Sequence, residues 1–243
     1  MIRFSGRGLL LDVEGTTSSI RFVYDVLFHY SRQQLESYLR SHWDTDALAE
    51  TRELIAREAG AESFAAWTHD LPRQPAREQL HREVLRLIDR DAKTTGLKQL
   101  QGLIWQEGFE AGKLRAHVYP DVPPALRRWL DAGREIRIYS SGSVLAQRLF
   151  FGHTEVGDLN GFFCGHYDTT SGPKRAQESY ARIAADWGLK PQEMLFLSDV
   201  VEELDAARTA GLKTGLVTRP ENTPVADPHG HPAIRDFSEI ELV

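Results

Sequence analysis

Two acids, Asp12 and Glu14, close the apolar run Gly8-Leu9-Leu10-Leu11 and are followed at once by Gly15-Thr16-Thr17. In an extended segment, residues i and i+2 face the same side, so both carboxylates address one ligand. A carboxylate can attack phosphorus to form an aspartyl-phosphate, which splits one hard displacement into two easier ones. A second acid beside it can act as proton donor and then acceptor. Gly15 lets the chain turn sharply away. An Asp after a strand also serves as an ordinary helix N-cap. Three later segments favour the chemical reading over that one.

Ser140-Ser141-Gly142-Ser143 ends a second strand-like run and opens a helical pattern. Hydroxyls and free N–H groups at a helix start bind phosphate oxygens, although a serine N-cap without ligand is the commoner occurrence. Lys174 follows Thr169-Thr170-Ser171-Gly172-Pro173 and is read as beginning a helix. A cation there opposes the macrodipole unless an anion lies nearby. A fixed cation would offset charge on a transferring phosphoryl group. Ser198-Asp199 ends a third run, with Glu202 and Glu203 in the turn after it. Mg²⁺ takes oxygen ligands and keeps several waters, so one or two carboxylates suffice, here Asp199 with Asp12. Glu203 is expected to stand behind the ligands rather than among them. No Gly-x-x-x-x-Gly-Lys loop or His-Glu-x-x-His helix occurs, and His229-Gly230-His231 is too short to define a metal site.

The elements that must position these groups follow from patterning. Leu9–Asp12, Glu135–Ser140, Met194–Asp199 and Lys213–Thr218 read as buried strands. Helical patterns alternate with them at Val122–Ala132, Ser143–Phe151, Arg175–Trp187 and Val201–Ala210, as a parallel sheet covered on both faces requires. Gly133, Gly188 and Gly211 fall where helix C-termini should end. Residues 20 to 113 read as helix, with Phe22, Val26, Leu27 and Tyr30 at helical spacing, an insertion placed to cap the site. Pro220–Pro232 reads as an irregular surface segment.

Composition narrows the class. The chain has 243 residues, a net charge of −6 and one cysteine, Cys164. The acidic balance argues against a general nucleic-acid binder. A lone cysteine excludes an internal disulfide and a thiolate zinc cluster. No apolar run approaches the roughly 18 residues of a membrane span. The first residues lack a signal-peptide core, and the expected compartment is the cytoplasm.

The order Asp-x-Glu-Gly-Thr, strand-end Ser, Lys, then Ser-Asp with a following acid resembles the haloacid dehalogenase superfamily of phosphohydrolases. That superfamily usually has Asp-x-Asp in its first motif. Glu14 at the second acid, with Phe22-Val23-Tyr24-Asp25, Tyr139-Ser140-Ser141-Gly142-Ser143, Phe150-Phe151-Gly152-His153, Gly165-His166-Tyr167-Asp168, Glu178-Ser179-Tyr180 and Arg219-Pro220-Glu221-Asn222, resembles its enolase-phosphatase branch, the acireductone synthases of methionine salvage. The likeness runs over nearly the whole chain. His29, where that branch often has proline, and the Ser18-Ser19 pair depart from it without removing a catalytic group.

The resemblance implies an α/β fold, a three-layer Rossmann-like parallel sheet core (1–19 and 114–243) with an inserted all-helical cap domain (20–113). It implies a Mg²⁺ enzyme that enolises 2,3-diketo-5-methylthiopentyl-1-phosphate and then removes phosphate. Asp12 and Glu14 would be catalytic. Asp12, Glu14 (through its backbone carbonyl) and Asp199 would hold Mg²⁺, and Ser140, Ser141 and Lys174 would bind the substrate. The enolisation base is open between Glu14, a cap residue and an acid behind the site. Phe22, Val23, Phe28 and Trp105 are candidates for an apolar slot around the methylthio arm, against the alternative that they only pack a core. A small-molecule substrate, no nucleic acid, no membrane and a monomer are expected. The alternative is another capped Mg²⁺-dependent phosphatase, acting on phosphoglycolate or a sugar phosphate.

Overall fold

The structure is a computed structural model that describes residues 1–243. It divides into two compact units, one of residues Met1–Val23 with Arg115–Val243, the other of Tyr24–Leu114. The first holds all the strands: β1 (Ile2–Phe4), β2 (Gly8–Leu11), β3 (Glu135–Tyr139), β4 (Gly165–Tyr167), β5 (Met194–Ser198), β6 (Lys213–Val217), β7 (Ala233–Ile234) and β8 (Ile240–Leu242). The second is entirely helical, with α1 (His29–Ser41), α2 (Asp46–Glu58), α3 (Phe64–Trp67), α4 (Arg73–Asp89) and α5 (Thr95–Glu110). The sheet unit adds α6 (Val122–Asp131), α7 (Val144–Gly152), α8 (Gln177–Trp187) and α9 (Val201–Thr209).

Six parallel strands form the main sheet in the order β4-β3-β2-β5-β6-β7. Every residue of β2 and of β5 is buried, as strands covered on both faces must be. The chain runs outward from β2 through β3 to β4, then crosses back to start β5 on the other side of β2. The order reverses there, so the carboxyl ends of β2 and β5 form the switch point where open α/β sheets bind ligands. Asp12 follows β2 and Asp199 follows β5.

The helices show why they dock. On α6, Val122, Ala125, Leu126 and Trp129 are buried, at positions i, i+3, i+4 and i+7 that make one apolar stripe. On α8, Tyr180, Ile183, Ala184 and Trp187 do the same, and the helix stops at Gly188 in the left-handed conformation. In the helical unit, α1 packs on α4 and α5, and α2 packs on α5, around Leu35, Leu39, Ile55, Leu80 and Leu100.

Several details differ from the sequence reading. Residues 22–28 form a π-helical segment. Its wider turn buries Val23 and Leu27 and leaves Val26 39% exposed, whereas ordinary helical spacing had put Val26 on the apolar face. β1 and β8 pair as a separate two-stranded sheet, through Ile2↔Ile240 and Phe4↔Leu242. The stretch from Pro220 to Pro232 is irregular and largely exposed, but His231 at its end is buried, with Nδ1 2.7 Å from Thr214 Oγ1 and Nε2 3.1 Å from Asp205. No helix is long and apolar enough to cross a membrane.

One partly buried ion pair ties the sheet unit together. Arg219, just after β6, meets Asp121 with two nitrogens at 2.8 and 2.9 Å, donates Nε to the Thr16 carbonyl at 3.0 Å, and lies over the Tyr119 ring. Asp121 also accepts the Phe237 N–H at 2.8 Å. Removing one member of such a pair strands its partner. Arg219→Ala should lower the unfolding free energy by about 3–5 kcal/mol, and Arg219→Lys, which keeps the charge but loses the planar fork, should recover only part. Urea unfolding followed by circular dichroism measures both. A loss under about 1 kcal/mol for the alanine variant would contradict this role.

Candidate active site

The turn after β2 is built for a close approach. Val13 O accepts the N–H groups of Thr16, Thr17 and Ser18, and the Thr17 hydroxyl bonds the carbonyls of Asp12 and Val13. Gly15 takes φ +66°, and a Cβ there would run into the Asp199 carboxylate and come within 2.9 Å of Asn222 Oδ1. The segment after β6 clamps this turn. Asn222 Nδ2 donates to Gly15 O at 2.8 Å, Arg219 to Thr16 O, and the Ser19 hydroxyl bonds Glu221.

Lys174 is the centre of the cluster. Its ammonium lies 2.7 Å from Asp12 Oδ2 and 2.6 Å from Glu203 Oε2, with all three side chains buried. Ser198 Oγ stands 3.1 Å from Asp12 Oδ2 and 3.0 Å from Glu203 Oε2, bridging the two acids. Asp12 Oδ1 accepts the Val13 N–H at 2.7 Å. Burial opposes the Lys174 charge, but Asp12 and Glu203 outweigh it and hold its pKa above the ordinary lysine value. Burial, and next the charge of Asp12, raise Glu203. The same two causes push Asp199 up to about 7.

Lys174 does not begin a helix as its sequence context suggested. It sits in a turn ahead of α8, because Gly172 adopts φ +126° and Pro173 follows. Three hydroxyls pin that turn: Tyr139 to Gly172 O at 2.9 Å, Ser179 to Pro173 O at 2.7 Å and Tyr180 to Lys174 O at 2.6 Å. The lysine is therefore aimed by packing from β3 and α8, not by a helix dipole.

The other residues singled out by sequence fall as follows. Ser140 is buried and Ser141 exposed at the end of β3, the parallel neighbour of β2, and Ser140 Oγ accepts the Gly142 N–H at 3.2 Å. Ser143 caps α7 by accepting the Ala146 N–H. Glu14 lies in the turn, bridged to Ser18. Asp199 leaves β5 beside Gly15, and Glu203 reaches back from the first turn of α9. Phe22 packs edge-on against Phe150 in the sheet unit, whereas Phe28 packs near Trp105 in the helical unit. Two members were missed by function. Ser198 was read only as part of a strand end, although a hydroxyl closing the otherwise apolar run Met194–Leu197 was a signal. Asn222 carried no signal of its own, because its role depends on a turn more than two hundred residues away.

A divalent cation fits these donors. No group of three or more His, Cys, Asp or Glu side chains forms a metal site. Two acids with oxygen chemistry, Asp12 and Asp199, are nevertheless held close enough for the charge of one to raise the pKa of the other. Gly15 keeps the space beside Asp199 clear, and a buried acceptor, Asn222 Oδ1, lacks a partner there. Hard oxygen donors with room for water suit Mg²⁺-like ions.

Comparison with known proteins adds the lineage. The model of the haloacid dehalogenase-like hydrolases matches residues 7–211. The chain is 44% identical to Enolase-phosphatase E1 of Sorangium cellulosum over 99% of both chains, and 45% identical to Enolase-phosphatase E1 of Azotobacter vinelandii over 97% of both. The crystal structure of UTR4 protein from Saccharomyces cerevisiae superposes with a TM-score of 0.79 at 34% identity, covering 97% of this chain and all of that one. With its nucleophile-type acid, lysine and second acid gathered at the switch point of a parallel sheet, this chain belongs to the haloacid dehalogenase-like hydrolases and, among them, to the enolase-phosphatases.

Proposed function

We propose that the chain converts 2,3-diketo-5-methylthiopentyl-1-phosphate into the acireductone 1,2-dihydroxy-3-keto-5-methylthiopentene and phosphate, the enolase-phosphatase step of methionine salvage. The observation that carries the residue assignment is the buried Asp12–Lys174–Glu203 cluster at the strand ends. A Mg²⁺ ion, held by Asp12, Asp199 and the Glu14 backbone carbonyl, would neutralise phosphate charge and polarise a substrate oxygen when bound. The helical unit serves as the cap, and the enzyme acts as a cytoplasmic monomer.

The phosphatase half uses this chain's own groups. Asp12 Oδ2 is occupied by Lys174 and Ser198, so Oδ1, which meets only the Val13 N–H, is the oxygen that attacks phosphorus. The bond from phosphorus to the enol oxygen breaks, and Glu14 gives that oxygen its proton. Glu14 then takes a proton from water, which cleaves the aspartyl-phosphate and restores Asp12. Lys174 holds Asp12 in place, and Glu203 with Ser198 fixes Lys174. Ser140 and Ser141, leaving the adjacent strand, hold the phosphate-bearing end of the substrate. The enolase half needs a base for the carbon that bears the phosphate ester, and Glu14 is the acid nearest the nucleophile in sequence.

Phosphate-monoester hydrolysis needs acceleration of up to about 10²¹-fold, so loss of the nucleophile is nearly fatal. With the diketone phosphate and Mg²⁺, enol absorbance should rise and decay. Asp12→Asn should release phosphate at less than a few per cent of the wild-type rate. Phosphate assays with mass spectrometry to exclude deamidation check this, and substantial residual release would remove Asp12 from the role. Phosphate release without any enol transient would favour the simpler phosphatase.

The raised Asp199 pKa fixes a pH dependence. Burial, and next the charge of Asp12, push Asp199 up to about 7 in the folded chain, well above the ordinary aspartate range. The folded state binds that proton more tightly, so the stabilisation is full below the unfolded value and is lost as pH rises through about 7. In chelator, Tm should fall between pH 5 and 8, and Asp199→Asn should flatten that fall. Thermal scans across this range with an unchanged slope in the variant would contradict the assignment.

A further inference from the structure

The Asn222 amide is oriented by its nitrogen. Nδ2 donates to Gly15 O at 2.8 Å and to Val217 O at 3.2 Å. Exchanging the amide oxygen and nitrogen would set an acceptor against two carbonyl oxygens, so the network allows one orientation. Oδ1 therefore faces away from both carbonyls, and it is buried without a hydrogen-bond partner in the protein. A buried acceptor left unmade is costly and calls for an explanation.

Its surroundings supply one. The point where a Gly15 Cβ would sit lies 2.9 Å from Asn222 Oδ1 and still nearer the Asp199 carboxylate. Two oxygen acceptors thus converge on one small volume that the absent side chain of Gly15 keeps open. Acceptors facing each other need donors or a cation between them.

We propose that Asn222 Oδ1 belongs to the divalent-cation site, where it accepts a hydrogen bond from the hydration shell of the ion that Asp12 and Asp199 hold. This rests on the cation reading above. Mg²⁺ dehydrates reluctantly and keeps several waters, which need acceptors. The side chain has two jobs at its two ends: nitrogen fixes the turn that carries Asp12 and Glu14, and oxygen orients water on the ion. Removing an outer hydrogen-bond partner of this kind weakens metal binding by about 10–100-fold.

The test compares Asn222→Leu, which loses both ends, with Asn222→Asp, which loses the donor and keeps an oxygen. Free Mn²⁺ is titrated by electron paramagnetic resonance, and Tm is read in chelator and in Mg²⁺. The leucine variant should bind Mn²⁺ about 10–100-fold more weakly and lose most of the Mg²⁺-induced rise in Tm. The aspartate variant should match or exceed wild-type affinity, although its Tm in chelator falls with that of the leucine variant. Equal weakening in both variants, or wild-type affinity in the leucine variant with Tm lowered alike in chelator and in Mg²⁺, would overturn the inference. Failure of the cation reading itself looks different: the wild type binds no Mn²⁺, or Asp199→Asn binds it as tightly as wild type.

Discussion

A buried lysine held between two buried carboxylates organises the site. Taking three charges out of water costs several kcal/mol per ion, and ion pairing inside a protein rarely returns more than that. Lys174 with Asp12 and Glu203 is therefore a poor device for stability alone. It is a good device for fixing a carboxylate and a cation side by side where a dianionic ester must be met. Ser198 completes the triangle by bridging the two acids, so neither can turn away without breaking a contact to the other.

The fold works to hold that triangle still. Asp12 and Asp199 come from adjacent parallel strands whose order reverses between them, which opens the only kind of crevice such a sheet offers. Lys174 comes from a turn with no regular structure, and hydroxyls of Tyr139, Ser179 and Tyr180 tie that turn to β3 and α8. The turn carrying Asp12 and Glu14 is gripped from the opposite side by Arg219 and Asn222. Asp12 and Lys174 thus sit on irregular backbone whose carbonyls neighbouring side chains hold, while Glu203 reaches in from the first turn of α9.

The central strands were readable because they are apolar on both faces and end at polar residues. Leu9–Asp12 and Met194–Asp199 each extend one residue past β2 and β5 as they fold. The strands β4 and β7 were not readable, since two or three residues carry no periodicity. The π-helical turn at 22–28 misled the spacing argument by widening the repeat, so Val26 faces solvent. In the site, Asp12 and Asp199 were legible as acids at strand ends, Lys174 as a cation after a Gly-Pro turn, and Glu203 as an acid in the turn that follows Asp199. Ser198 and Asn222 were not, because their roles come from a bridge and a clamp that form only between distant segments.

The proposed chemistry turns on a covalent bond between phosphorus and the Asp12 carboxylate. Enzyme mixed with the diketone phosphate and quenched in acid within a single turnover retains any acyl phosphate, and borohydride reduces that species to the alcohol. Peptide mapping by mass spectrometry should find homoserine at position 12 in the quenched sample and none without substrate. Homoserine at another acid, or phosphate release complete with Asp12 never modified, would contradict it.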